Sequence, residues 1–271
     1  MKNLLLAVLC VWTIGCASNQ AFGSRAKSGA GSTTNSFRVM TYNIHHGEGL
    51  DGKVDLLRIA QLIAAERADI VALQEVDKGV QRTARRDLPE ELAALTGMTC
   101  VFSNNYHFQG GEYGNAVLTR FPVTSWINSR YKMIRTGEQR GLLQLRLRVH
   151  GHDLIFMNTH IDYRKDDTER RMNVEEIRQS LARYPGLPVI ICGDFNTEPD
   201  SATYQMMKQL FSDSWETVGQ GEGFSYPAGK PVKRIDYIFV RGSNAPKAVN
   251  AWVPQSDASD HAPVVAEFVF P

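Results

Sequence analysis

The feature that most constrains this chain is where its polar chemistry falls: at the ends of short apolar runs. The runs are Phe37 to Ile44, Ile70 to Leu73, Ala116 to Leu118, Leu142 to Val149, Leu154 to Asn158, Val189 to Cys192, Ile235 to Val240 and Val264 to Phe270. Rich in Val, Ile, Leu and Phe, they read as strands. Flanking them are Tyr42-Asn43-Ile44-His45-His46, Gln74-Glu75, Asn158-Thr159-His160-Ile161-Asp162, Gly193-Asp194-Phe195-Asn196, Arg234-Ile235-Asp236 and Ser259-Asp260-His261. In sheets with helical crossovers, strand ends are where ligands bind, because rigid strands deliver side chains to one rim.

Two helices are legible between the runs. Asp55 to Arg67 places Leu56, Ile59, Ala60 and Ile63 at helical spacing behind an Asp55 N-cap. Thr168 to Tyr184 carries the stripe Val174, Ile177, Leu181 and Tyr184, charged on its other faces, and is expected to pack on a sheet. Many strands, few helices and a mixture of crossovers with hairpins predict an α/β protein with more than one sheet.

At 271 residues, 43% hydrophobic and 22% charged, the chain suits one globular domain, placed at 37–271. The net charge is +1 and falls to zero once the leader with Lys2 is removed, so no global field draws the protein to polyanions. Lys2 followed by the apolar run Leu4 to Ile14 is far shorter than the roughly 20 residues that span a bilayer, and it reads as an export leader. Thr13-Ile14-Gly15-Cys16 resembles a bacterial lipobox, which implies a leader segment at 1–16 with its cleavage site in the lipobox, lipidation of Cys16 and a cell-envelope location. A plain secretory signal cut near Ala17 or Ala21 is the alternative. Residues 17–36, dominated by Ser, Gly, Ala, Thr and Asn, read as a tether. Cys192, inside an apolar run, reads as a buried structural thiol, and no zinc-type cysteine spacing exists.

The flanking residues suit phosphate-ester hydrolysis. That reaction needs charge stabilisation on the phosphoryl and leaving oxygens and a nucleophilic water. Mg²⁺, with Mn²⁺ as a substitute, prefers carboxylate and amide oxygens and keeps several waters, a demand that Glu75, Asn43 and Asp260 match. Asp194 and Asn196 alternate around Phe195 and in extended geometry face one side. By the same rule at most one of His45 and His46 points inward, which disfavours both as a metal pair.

In motif order, these segments resemble the endonuclease/exonuclease/phosphatase superfamily, whose members include DNase I-like nucleases, inositol-polyphosphate phosphatases and bacterial sphingomyelinases. The resemblance covers Phe37 to the end. It implies a four-layer α/β/β/α sandwich of two packed mixed sheets flanked by helices. It also implies that Glu75 is the principal metal ligand, with Asn43 and Asp260 beside it, that Asp194 activates the attacking water, and that Asn196 stabilises the transition state. On the same ground His261 contacts the scissile phosphate, oriented by Asp236, and His160 donates to phosphate or leaving group. Asn115, Arg140 and Tyr113 are candidate phosphate contacts. The loop Gly223 to Pro227 offers Phe224 and Tyr226 as aromatic contacts for substrate, and the runs Arg82, Arg85, Arg86 and Lys230, Lys233, Arg234 offer cations.

The expected activity is that of a monomeric, Mg²⁺-dependent phosphodiesterase in the cell envelope. Its partner is a phosphoester: a small molecule, a lipid headgroup or nucleic acid. An exported endonuclease or sphingomyelinase-like phospholipase is the nearest alternative. Two readings from other classes are a non-catalytic binding protein on the same fold and a zinc hydrolase using His45, His46 and His160.

Overall fold

The computed structural model describes residues 35–271; the leader, Cys16 and nearly all of the proposed tether lie outside the described residues. In chain order the elements are β1 (Ser36–Asn43), α1 (Leu56–Ala65), β2 (Ile70–Lys78), α2 (Leu88–Thr96), β3 (Thr99–Phe108), β4 (Gly111–Thr119), β5 (Val123–Arg130), β6 (Gly141–Val149) and β7 (His152–His160). Then come α3 (Thr168–Ser180), β8 (Val189–Asp194), α4 (Ala202–Leu210), β9 (Ser212–Asp213), α5 (Ser214–Val218), β10 (Asp236–Arg241), β11 (Lys247–Trp252) and β12 (Val264–Val269). Among the described residues, no helix is long and apolar enough to cross a membrane.

The strands form two six-stranded mixed sheets, ordered β11-β12-β1-β2-β4-β3 and β5-β6-β7-β8-β10-β9. Each has one parallel pair at its centre, β1 with β2 and β7 with β8, closed by α1 and α3 as crossovers. The crossovers form as their sequences predict. Asp55 accepts from the amide of Leu57 to start α1, whose buried residues are Leu56, Ile59, Ala60 and Ile63. Between the sheets, Phe37, Val39, Ala72, Leu145, Phe156, Ile190, Cys192, Ala266 and Phe268 share one core. The outer faces bury separate cores that include residues of α1 and α2 on one side and α3 and α4 on the other. The result is the four-layer α/β/β/α sandwich.

One polar bridge crosses the inner core directly behind the strand ends. Gln74 on β2 donates to Asn158 Oδ1 on β7 at 2.8 Å, and Asn158 donates to the carbonyls of Leu73 and Ala116, both at 2.8 Å. Both side chains are fully buried. Buried amides are tolerated only when bonded, so the bridge fixes the relative register of the two sheets where their C-terminal ends meet.

The strands absent from the sequence reading are β3, β5, β9 and β11, the four sheet edges. An edge strand is flanked by solvent and carries polar or charged residues, so it lacks the apolar run by which the inner strands are read. In β5, Thr124, Ser125, Trp126 and Ile127 are all exposed.

Candidate active site

The two parallel pairs point their C-terminal ends at one another, which gathers residues far apart in sequence. Asn43 ends β1, and its Nδ2 donates to Glu75 Oε1 and to Asp194 Oδ2, both at 3.1 Å, joining the two sheets. His160 ends β7 and pairs across the sheet with Asp194 at the end of β8, whose other neighbour is Asp236 at the start of β10. Around them lies a cavity of about 610 Å³, lined by Glu75, Tyr113, Arg140, His160, Asp194, Asn196, Tyr226, Asp260 and His261 together with charged side chains of its mouth.

Glu75 reaches the rim by a device the sequence does not display. The β2–β4 register shifts between Leu73 and Val76, and Glu75 adopts φ 59° inside this bulge. A bulge re-aims a side chain, and a non-glycine residue in the left-handed region is held there only by its surroundings. The turn after β8 is similar. Asn196 sits at φ 46°, with its backbone N–H donating to Asp194 Oδ1 at 2.8 Å. The expected extended alternation of Asp194 and Asn196 is therefore replaced by a tight turn, since the side chain of Asp194 captures the backbone two residues on. Gly193 makes room for it: a Cβ there would stand 1.9 Å from the Thr159 carbonyl oxygen.

Within the cavity, charge is distributed unevenly. Asp194 is buried, with His160 Nε2 at 3.4 Å and His261 Nε2 at 3.7 Å. Burial, reinforced by the charge of Asp236, pushes its pKa up to about 7. Burial acts on His261 in the opposite sense, but Asp236 and Asp194 outweigh it and raise this imidazole to about 10. His261 is thus a cation held between two carboxylates, its Nδ1 donating to Asp236 Oδ2 at 2.9 Å. The Ser225 hydroxyl donates to the same oxygen at 2.6 Å, while Asp236 Oδ1 is buried without a partner.

His160 behaves differently. Burial, together with the cations Arg140 and His261, drives its pKa well down, so the ring is neutral. Arg140 can only donate, and its Nη1 lies 2.9 Å from His160 Nδ1. The ring proton therefore sits on Nε2, facing Asp194. The Asn196 amide nitrogen stands 3.0 Å from Nε2 and donates to the Ile161 carbonyl at 3.2 Å. Arg140 is buried and also reaches the Tyr113 hydroxyl at 3.5 Å and Glu138 at 2.9 Å.

The donor set fits a hard divalent cation. Glu75 and Asp260 line the cavity half-buried, with room for water, and Glu75 has no ion-pair partner within 4.0 Å among the described residues. Asp194, Asp236 and His261 also bring ligand atoms within 4.8 Å of one another.

Several sequence expectations need correction. Asn43 accepts through Oδ1 from the His45 backbone at 3.1 Å while its Nδ2 braces the two carboxylates, a bracing role that the expected place beside a metal did not include. Asn115 is buried outside the cavity lining and donates to the Gly141 carbonyl at 3.3 Å. Phe224 faces a neighbouring hollow with Glu198, Trp215 and Glu222; only Tyr226 of that loop lines the main cavity, its ring 4.8 Å from that of His261. The second basic run divides: Arg234 is buried against Asp213 at 2.6 Å, while Lys233 lines the cavity. In the first run, Arg82 lines the cavity and pairs with Asp77 at 2.8 Å, and Arg86 pairs with Glu91. His160 accepts from Arg140 at Nδ1 and turns Nε2 toward Asp194, which removes it from any shared site with His45 and His46.

Cavity residues missed in sequence include Tyr163 and Arg170. Tyr163 is 57% exposed and stacks under the guanidinium of Arg140, 5.6 Å from its ring centroid. Its position immediately after the strand-end run Asn158 to Asp162 was the available signal.

The profile of the Endonuclease/Exonuclease/phosphatase family matches residues 40–261. Escherichia coli K12 YbhP, described as uncharacterized, is 29% identical over 248 residues, covering 86% of this chain and 96% of its own length. The crystal structure of an endonuclease/exonuclease/phosphatase from Beutenbergia cavernae superposes with a TM-score of 0.69 at 25% identity, covering 87% of this chain and 72% of that one. A mannosyl-6-phosphatase of Bacteroides thetaiotaomicron shares the fold with a TM-score of 0.71 at 20% identity, over 86% of this chain and 100% of its own.

Proposed function

Because the chain belongs to the endonuclease/exonuclease/phosphatase family and is on that ground a metal-dependent phosphoric ester hydrolase, we propose that it is a Mg²⁺-dependent phosphodiesterase of the cell envelope. The observation that carries this reading is the gathering of Asp194, His160 and His261 within 3.7 Å contacts beside the open carboxylates Glu75 and Asp260. Glu75 and Asp260 would hold the Mg²⁺, which would supply positive charge to the phosphoryl and leaving oxygens.

This chain's own residues do the rest. Asp194, near neutrality in its proton affinity, takes the proton of the attacking water, since a base works best with a pKa near the operating pH. The cationic His261, oriented by Asp236, contacts the phosphoryl oxygens and offsets their growing charge. His160 keeps its proton on Nε2 and donates to phosphate or leaving group, with Arg140 fixing the tautomer. Asn196 adds an amide donor beside it. Tyr163 and Tyr226 both line the cavity and offer aromatic surfaces for the organic groups of a diester.

A phosphomonoesterase is the second reading, supported by the shared fold of the mannosyl-6-phosphatase. Envelope location and a lipidated Cys16 belong to the same proposal and rest on the leader pattern, as does a substrate met outside the cytoplasm. The test is turnover of bis-p-nitrophenyl phosphate against p-nitrophenyl phosphate, sphingomyelin, DNA and inositol phosphates, with Mg²⁺ and after chelation. The reading predicts Mg²⁺-dependent cleavage with the diester preferred. Preference for the monoester replaces it with the second reading, and no cleavage of any ester refutes both.

A further inference from the structure

The turn that follows β1 holds a group of side chains that the catalytic site does not use. Strand alternation would point His45 and His46 to opposite faces, but the chain leaves extended geometry at Asn43. His45 and His46 adopt φ 43° and 45° in a short 3₁₀ turn, which brings the two rings to 4.4 Å between centroids. Glu48 closes the group. One ligand atom from each of His45, His46 and Glu48 lies within 4.8 Å of the others, and His46 Nε2 is 3.5 Å from Glu48 Oε2. Two ligands on a tetrahedral zinc ion, at bonds of 2.0–2.1 Å, stand about 3.4 Å apart.

We propose that His45, His46 and Glu48 form a second metal site, separate from the catalytic one, which binds a first-row transition ion of the Zn²⁺ class through two imidazole nitrogens and one carboxylate oxygen. Several observations carry it. The His46 side chain is 9% exposed, yet its Nδ1 is buried with no partner and its Nε2 meets only Glu48. Among the described residues, the one carboxylate within 4.0 Å of the His45 ring is Asp260, at 4.0 Å from Nδ1. Neither imidazole is hydrogen-bonded into the fold, so holding the turn together does not account for them. The backbone does that work: Gly47 N donates to Ile44 O at 2.7 Å, Glu48 N to His45 O at 2.8 Å and Asp55 N to Gly47 O at 3.0 Å.

Access and charge agree with an ion. The side chains of His45 and Glu48 are 35% and 37% exposed, so an ion and its completing water can reach the trio. Glu48 and Asp260 contribute negative charge, and the nearby cation Arg82 is already held by Asp77 at 2.8 and 2.9 Å. Two imidazoles with one carboxylate suit zinc and its neighbours better than Mg²⁺, which takes oxygen ligands. None of the three residues lines the catalytic cavity; Asp260, which does, lies 4.0 Å from His45 Nδ1.

The experiment uses the full chain stripped of metal by chelation and titrated separately with Co²⁺ and Zn²⁺. Co²⁺ is read by its visible ligand-field absorption and Zn²⁺ by calorimetry and by the thermal midpoint. Four chains are compared: the parent, His46→Ala, Glu48→Gln and Glu75→Ala. The proposal expects the parent to bind a Zn²⁺ ion that His46→Ala does not, with Glu48→Gln weaker by about 10-fold or more. It expects Glu75→Ala to keep that ion and its cobalt spectrum. Zn²⁺ should raise the thermal midpoint of the parent more than that of His46→Ala, as the loss of one ion bound by the folded state alone requires. Should His46→Ala fail to fold, Glu48→Gln, altered at an exposed side chain, carries the test. Equal Zn²⁺ stoichiometry and affinity in the parent and Glu48→Gln would overturn the site, as would loss of the same ion in Glu75→Ala. Either result leaves the diesterase reading standing, because hydrolysis is measured separately with Mg²⁺.

Discussion

The two sheets make unequal contributions to the cavity. The first sheet delivers Glu75 and the Asp260 segment, half-buried carboxylates beside water; the second delivers Asp194, Asp236 and His160, all buried, with Arg140 just before β6. Carboxylates that face water at little desolvation cost can hold a hydrated hard cation. Carboxylates and imidazoles taken out of water have displaced proton affinities, as Asp194, His160 and His261 do. His261 belongs to the first sheet by sequence but is captured by Asp236 of the second, and Asn43 bridges the same gap. The difference teaches that one topology, a central parallel pair used twice, builds a wet half for the metal and a dry half for protons.

Substitutions on the dry side should separate most sharply from those on the wet side. Asp194→Asn should lower turnover by about 10³-fold or more, since a positioned base contributes on that scale. The same change removes a buried carboxylate that ionises near pH 7, so the metal-free chain should melt at a higher temperature at pH 8, by about 2–4 °C. A lowered midpoint would show that Asp194 holds the fold together. On the wet side, Glu75→Ala should leave the dry half intact and raise the Mg²⁺ needed for half-maximal rate by about 10–100-fold. Unchanged Mg²⁺ dependence would erase the contrast between the halves. Arg140→Lys keeps the charge but loses the fork that reaches both His160 and Tyr113; kcat should fall by about 10-fold with the fold unaffected. An effect on KM alone would make Arg140 a binding residue only.

The smallest effect lies in the pH dependence of stability without metal. His261 has a folded pKa of about 10 against 6.5 unfolded, so its stabilising contribution is complete below pH 6.5 and is lost as the pH rises through 10. Asp194, raised from 3.8 to about 7, also favours the protonated folded state, and that contribution is lost as the pH rises through 7. His160 and His46, both held below their ordinary values by burial, act in the opposite sense below about pH 6.5, so thermal midpoints of the metal-free chain should decline from about pH 6.5 to pH 10. His261→Gln should flatten the upper part of that decline and Asp194→Asn the lower; parallel curves for all three chains would show that these groups are not displaced.

How far the sequence disclosed this arrangement depended on which force shaped each part. Inner strands were legible because both faces are buried, as in the runs Val189 to Cys192 and Leu154 to Asn158; the edge strands β3, β5, β9 and β11 were not, because solvent on one flank dilutes the apolar signal. Convergence of Glu75, His160, Asp194, Asp236 and His261 on one rim followed from their places at strand ends. Their exact aim did not follow, because it depends on backbone departures that alternation cannot display: the bulge at Glu75 and the left-handed turns at Asn196, His45 and His46. The amide roles were hidden for a related reason. Asn43 and Asn115 are satisfied by backbone groups that only the folded chain brings near.

The account stands on the wet and dry halves acting together in one transition state. The direct measurement is a double-mutant cycle on bis-p-nitrophenyl phosphate turnover with Glu75→Ala, Asp194→Asn and the double variant. Residues that act as a unit are strongly non-additive, so the double variant should be no slower than Asp194→Asn alone to within about threefold. Losses that multiply across the cycle would mean that Glu75 and Asp194 work independently, and would contradict a single site built from both sheets.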